Sequence, residues 1–514
     1  MANRLGIRMN PWVFLTSAAI ILLFVAVGAA APDWLKMVFD DIQGFIVEKL
    51  GWFYLLSVSG FLIFVLWLAA GRYGRVRLGK DDERPTYSYL TWFSMLFSAG
   101  MGIGLLFYSV AEPVLHFANP PSTTVSSAQA ARLAMETTFF HWGLHAWGIY
   151  TLMGLALAYA SYRLGLPLTL RSPFRPLLGA RIDGWAGNAI DILGIVGTMF
   201  GVSTSLGLGV LQINEGLDRV GVLDQSLVHQ VFLIAGITLI ATASVVSGVD
   251  RGIRRLSELN MALGLLLLGF VLIAGPTTFL VLGLSENLGD YLQHLVGRSF
   301  STLAYRGEVG MKWEASWTLF YWGWWIAWSP FVGMFIARVS RGRTVREFVL
   351  GVLLVPSLFA MIWLSVFGNT ALHIELFGQG GIVAAVGKSM PSALYATLEA
   401  LPWSTVTSAV ATIVIVTYFV TSSDSASMVI DILAAGGNPD PPIPQRIFWA
   451  LTEGGVAAVL LVVSGKGGLK ALQTTAIACA LPLTALLIVL CFSLKRALKA
   501  EGRYQSGAEY QAAE

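Results

Sequence analysis

Charge is scarce in this chain. Only 12% of its 514 residues are Asp, Glu, Lys or Arg, whereas 56% are hydrophobic. A soluble protein of that length carries far more charge on its surface, so a polytopic helical membrane protein is indicated. Cysteine is nearly missing: Cys479 and Cys491 both fall in the last apolar run, which argues against a disulfide framework. Histidine is sparse too, and of the six only His141 and His145 stand one helical turn apart. No Glu lies between them in the metalloprotease arrangement and there is no GxSxG, so the histidines read as structural and a membrane enzyme is a distant alternative. A channel is another, but no repeated filter segment is present. The net charge of +3 is spread over loops and points to no nucleic-acid partner. No linker or separate soluble domain interrupts the pattern.

What the chain does have is about twelve apolar runs of bilayer-spanning length. They cover 13–31, 52–71, 88–116, 136–164, 188–211, 230–248, 257–282, 314–340, 347–372, 403–430, 445–464 and 471–494. The third, fourth and eighth exceed what a bilayer requires, which implies tilt or a break. Basic residues alternate between loops. Arg4 and Arg8 precede the first run, Arg72 to Arg84 follow the second, Arg163 to Arg181 the fourth, Arg251 to Arg255 the sixth and Arg338 to Arg346 the eighth. The positive-inside rule then places both termini in the cytoplasm. The first run lacks a convincing small-residue cleavage site and reads as a retained helix.

Three runs are not ordinary spans. The third contains FSAGMGIG, with Gly100, Gly102 and Gly104 on alternate residues at mid-membrane. Gly100 and Gly104 suit close helix packing, but Gly102 adds weak helical preference where none is needed for contact. Unwound backbone at that depth is tolerated only where it lines protein or a wet cavity. The eighth run holds YWGWWIAWSP, whose Pro330 removes a backbone donor and is expected to interrupt the helix. Two interrupted segments five spans apart point to a transporter site at a repeat interface. The tenth run holds YFVTSSDSASM, where Thr421, Ser422, Ser423, Ser425 and Ser427 crowd around Asp424. Single hydroxyls usually bond back to their own helix; five beside an intramembrane carboxylate suit a hard monovalent cation.

Aromatic stripes complete the pattern. Trp324, Trp325 and Trp328 share one helical face, and in HWGLHAWGIY so do Trp142, Trp147 and Tyr150. Taken singly, each stripe is as readily core as site. Together, beside the glycine segment, they suit a cation held by ring faces. No carboxylate lies inside either stripe, which favours a methylated cation over a primary amine. A carboxylate at the solute's other end would meet open N–H groups of the Gly100–Gly104 segment.

These motifs, in this order and over nearly the whole chain, resemble the betaine/choline/carnitine transporters. The resemblance implies a LeuT-like inverted repeat of five plus five helices after two extra N-terminal helices, in a homotrimer in the bacterial inner membrane. The divisions are then 1–87 (N-terminus and accessory helices), 88–282 (first repeat), 283–313 (extracytoplasmic loop with an amphipathic helix), 314–494 (second repeat) and 495–514 (cytoplasmic tail). It implies that Trp324, Trp325 and Trp328 form the main box, with Trp142, Trp147 and Tyr150 along the pathway and Phe320 as a neighbouring gate. Met101 and the three glycines would line the substrate. A sodium ion would take the carbonyls of Ser98, Met101 and Tyr418 and the hydroxyls of Thr421 and Ser422. A second sodium would use Thr198 and Phe331, but Val202 stands where the family has threonine. Gly104 replaces the Asp of proton-coupled choline carriers, which favours a sodium-driven zwitterion. No other cofactor is implied. Betaine, choline, carnitine and dimethylsulfoniopropionate all stay open as solutes, as do proton-coupled and exchange transport.

Overall fold

The computed structural model describes residues 9–100, 102–120, 127–247, 250–465 and 469–505. Among them no strand forms, and an isolated bridge pairs Arg77 with Thr344. The first helices are α1 (Pro11–Ala30), α2 (Pro32–Ala70), α3 (Tyr89–Gly100), α4 (Ile103–Ala118), α5 (Ser127–Trp142) and α6 (Leu144–Ala158). A single turn, α7 (Arg175–Leu178), leads to α8 (Trp185–Arg219), α9 (Leu227–Ser247), α10 (Asp250–Ala274) and α11 (Thr277–Ser299). Then come α12 (Gly307–Ser316), α13 (Thr318–Val339), α14 (Val345–Phe377) and the short α15 (Ile382–Lys388) and α16 (Ala393–Glu399). The chain closes with α17 (Ser404–Ala434), α18 (Ile443–Ser464) and α19 (Lys470–Gln505).

Nine helices among the described residues are long and apolar enough to cross a membrane. They match nine of the twelve apolar runs, and the other three runs are those judged too long. The third and fourth are divided in two. The third parts at Gly102, which is fully extended between α3 and α4 (φ −167°, ψ 178°). The fourth parts at Gly143, where the freed N–H of Leu144 is taken by the hydroxyl of Tyr291 at 3.0 Å. The eighth is trimmed only at its start, by the turn at Trp317 (φ −125°, ψ −81°) that separates α12 from α13, and the rest of it is one helix.

Pro330 lies inside an uninterrupted α13, which corrects the expectation of a break there. The missing proline N–H would have served the carbonyl of Ile326, and the Ser329 hydroxyl donates to that carbonyl at 2.8 Å instead. One substituted donor keeps the turn intact. Two boundaries also move. The second run extends back to Pro32, and the seventh ends at Ala274 because Gly275 and Pro276 stop it. The helix expected within 283–313 starts at Thr277 as α11, tied to α5 by a bidentate Arg132–Asp290 pair (2.6 and 2.8 Å) and by Arg298–Glu136 (2.8 Å).

The centre of the bundle is set by α8 and α13. Helix α8 packs on α17, α19 and α18, and α13 runs between α6 and α19. Small residues permit this. A Cβ on Gly333 would lie 2.5 Å from Met153 Cγ and 3.1 Å from the Gly154 nitrogen, so α6 and α13 cross backbone to backbone. A Cβ on Gly323 would lie 2.8 Å from Ile477 Cα, which brings α19 equally close. The aromatic helix α13 is therefore held on two sides by rigid contacts, and its rings have little freedom to move with it.

Candidate functional site

Two adjoining cavities lie along α13. The first, of about 60 Å³, is lined by Gly102, Ile103, Gly104 and Leu105 at the start of α4 and by Trp142 at the end of α5. Ala146, Trp147 and Tyr150 of α6 add a wall, Trp324, Trp325, Trp328 and Val332 of α13 another, and Ser205 and Ala360 complete it. Six aromatic side chains named from the sequence thus meet around one space. Trp324 and Trp325 are stacked (4.9 Å between centroids, 12°). Trp142 meets Trp325 edge-on at 4.9 Å, Tyr150 meets it at 6.2 Å, and Trp147 stands 5.3 Å from Tyr150.

The rings are fixed by their polar handles, as buried indoles usually are. Trp325 Nε1 donates to the carbonyl of His141 at 2.9 Å, Trp324 Nε1 to the Ser205 hydroxyl at 3.2 Å, and Trp142 Nε1 to Glu112 at 2.8 Å. Trp324 lies over Gly104 so closely that a Cβ there would be 2.4 Å from its Cη2. Nothing lies within 4 Å of a Cβ on Gly102, so the two glycines serve different ends. Gly104 admits the ring, and Gly102 carries the break. No side chain caps α4, which leaves the first N–H groups of that helix open at the cavity.

Other expected residues fall elsewhere. Phe320 backs Trp324 at 5.4 Å and 18° without reaching the cavity lining. Gly100 ends α3. Met101 lies outside the described residues.

The second cavity, of about 150 Å³, is lined by Ser98, Tyr418, Thr421, Ser422 and Phe331, all named from the sequence. Ser257, Asn260, Met261, Phe335 and Ser425 join them, and Trp328 lines this cavity as well as the first. Thr421 Oγ1 donates to the carbonyls of Thr417 (3.0 Å) and Tyr418 (3.3 Å) and accepts the amide of Asn260 at 3.1 Å. Thr198 is fully buried on α8 and lines neither cavity, so the structure does not bring it together with Phe331 at this opening.

The hydroxyl cluster of α17 divides. Thr421, Ser422 and Ser425 turn to the cavity. Ser423 and Ser427 turn away and donate to the two oxygens of the fully buried Glu453 on α18, at 2.8 and 3.0 Å. Five hydroxyls around one cation is therefore corrected to three, because a helix turning 100° per residue sends positions 423 and 427 to its other side.

Sequence reasoning missed Glu112. In the sequence it stands, like Glu136 and Asp191, near the end of an apolar run. Glu136 does pair with Arg298, and Asp191 with Arg171 at 2.6 Å. Glu112, however, is wholly buried within α4. Its Oε1 lies 2.6 Å from His141 Nδ1 and 3.4 Å from His116 Nε2, and its Oε2 accepts Trp142 and Tyr321. Glu112, His116 and His141 present ligand atoms within 4.8 Å of one another. The 2.6 Å separation is a hydrogen bond, shorter than the roughly 3.3 Å between ligands on a tetrahedral zinc, so this set reads as a polar network. No signal in the sequence marks it, since its members come from three helices.

Comparison with known proteins decides the family. A model of the betaine/carnitine/choline family transporters matches residues 12–503. The chain belongs to that family. Among its relatives, an uncharacterised transporter of Mycobacterium bovis is 46% identical over 95% of this chain and 82% of its own length. The glycine betaine transporter of Acinetobacter baylyi is 43% identical over 96% of this chain and 74% of its own. The high-affinity choline transport protein of Escherichia coli K12 is 42% identical over 96% of this chain and 73% of its own. This betaine/carnitine/choline family protein is thus a multi-pass membrane transporter and not an enzyme.

Proposed function

We propose that this transporter carries a betaine-like zwitterion into the cell together with sodium, by alternating access. The aromatic cavity is the observation that supports this most directly. Its walls are aromatic rings, and a ring face is worth roughly 0.5–1 kcal/mol to an exposed cation and about 2 or more to a desolvated one. A trimethylammonium group has no N–H to donate, so it loses little on leaving water for such walls. Among the described residues no acidic side chain lines the cavity, and a solute carboxylate would be met instead by the open N–H groups at the start of α4. The neutral oxygens of the second cavity suit sodium: the hydroxyls of Thr421 and Ser422 and the carbonyls of Ser98 and Tyr418.

On the same reading both termini are cytoplasmic, the assembly is a homotrimer in the bacterial inner membrane, and two five-helix repeats exchange the access path. Choline or carnitine, driven by protons or by exchange, is the alternative; the choline carrier among the relatives keeps it in view. Radiolabelled glycine betaine uptake into proteoliposomes tests the proposal. Uptake should require an inward sodium gradient and should fall at least tenfold when Trp325 and Trp328 are both leucine. Equal uptake without sodium refutes the coupling, and unchanged affinity in the double variant refutes the site.

A further inference from the structure

Glu112 stands one ring behind the aromatic cavity and does not line it. Trp142 stands between: it lines the cavity, and its N–H donates to Glu112 Oε2. The same oxygen accepts the hydroxyl of Tyr321, whose ring lies nearly parallel to Trp325 at 5.9 Å and 27°. The other oxygen holds His141, whose backbone carbonyl anchors the N–H of Trp325. Both of these cavity walls therefore lead back to this one carboxyl group, directly or through one residue. All of Glu112, Tyr321 and His141 are out of solvent, so the effect of the carboxyl group is not screened by water.

An acceptor that pulls on an indole N–H pushes electron density into the ring. That deepens the negative face which a cation feels, and a carboxylate in its ionised form does so more than a neutral acceptor. We propose that Glu112 is a positioning and polarising residue for the cavity. Acting through the N–H of Trp142, it makes that ring a stronger receptor for permanent positive charge and so favours a quaternary ammonium over a neutral solute of the same shape. This rests on the reading of the cavity as the cation site.

The test uses the full-length protein in detergent and two ligands of matched shape. One is glycine betaine; the other is 3,3-dimethylbutanoate, in which carbon replaces the charged nitrogen. Binding is measured by calorimetry or by competition in tryptophan fluorescence. Glu112→Gln should weaken betaine about tenfold and leave the feeble binding of the carbon isostere, whose headgroup is uncharged, within about twofold, so that the preference for a cationic headgroup falls. Glu112→Asp should restore most of that preference. Trp142→Phe, which keeps a ring but removes the N–H, should reduce the preference too and serves if Glu112→Gln does not fold. Equal weakening of both ligands in the folded variants assigns Glu112 to shape alone and overturns the inference, as does an unchanged preference. A wild-type protein that binds neither ligand refutes instead the assignment of the cavity to a quaternary ammonium.

Discussion

Replacing Gly104 with alanine and, separately, Gly102 with alanine separates two roles that share one motif. The added methyl at 104 would sit 2.4 Å from Trp324 Cη2, more than 1 Å inside ordinary contact. Trp324 cannot yield freely. It is stacked between Trp325 at 4.9 Å and Phe320 at 5.4 Å, and its N–H is held by Ser205 at 3.2 Å. Overpacking of this kind costs about 1–3 kcal/mol, and losing the hydrogen bond adds roughly 0.5–1.5. If half of that falls on the cavity rather than on global stability, betaine affinity drops about tenfold. At Gly102 the methyl meets nothing within 4 Å and the backbone is extended, a conformation any residue adopts. Gly102→Ala should therefore keep affinity within about twofold. Calorimetric titration of both variants, with thermal melting to confirm folding, reads the difference. Equal effects of the two substitutions, or full affinity in Gly104→Ala, would refute the claim that Gly104 exists to admit the indole.

Other outcomes follow from the same coordinates. Thr421→Ala should raise the sodium concentration for half-maximal uptake about tenfold, the loss of one ligand worth ~1.4 kcal/mol, whereas Ser423→Ala, which faces Glu453, should move it less than twofold. Equal shifts in sodium-activation curves would contradict the division of α17. Gly333→Leu should lower stability by about 3 kcal/mol, because its side chain would enter the α6–α13 crossing against Met153 and the Gly154 nitrogen; scanning fluorimetry in detergent measures it. Ser329→Ala should destabilise α13 by roughly 1 kcal/mol by leaving the Ile326 carbonyl unserved beside Pro330. The same change made together with Pro330→Ala should cost nearly nothing, as the backbone donor is restored, and a full loss in the double variant would contradict this account.

Much of the architecture was written locally. Apolar runs announced the helices, and excess length announced the two divided spans, the third and the fourth, because a bilayer sets one length and the surplus must go somewhere. The glycine stretch located the break at Gly102, and the aromatic spacing put Trp324, Trp325 and Trp328 on one wall. The chain concealed what depends on convergence. Trp142 was grouped with Trp147 and Tyr150 by helical periodicity, yet Gly143 divides their helix, and the three rings still share a cavity only because α5 and α6 continue around the same space. Pro330 misled because its compensation comes from a neighbouring hydroxyl rather than from composition. Asn260 and Glu112 went unseen because their partners arrive from distant helices: Thr421 in one case, Trp142 and Tyr321 in the other.

Trp328 is a party wall. It borders the ring-lined chamber and the hydroxyl-lined one, and its own N–H has no partner among the described residues. Whatever displaces that indole from one chamber is registered in the other, and thermodynamic linkage makes the exchange symmetrical. An ion that tightens the grip on solute must itself be gripped more tightly by the same factor once solute arrives. A leak would then begin at this plane, and a smaller side chain at position 328 would uncouple the two occupants before it abolished either.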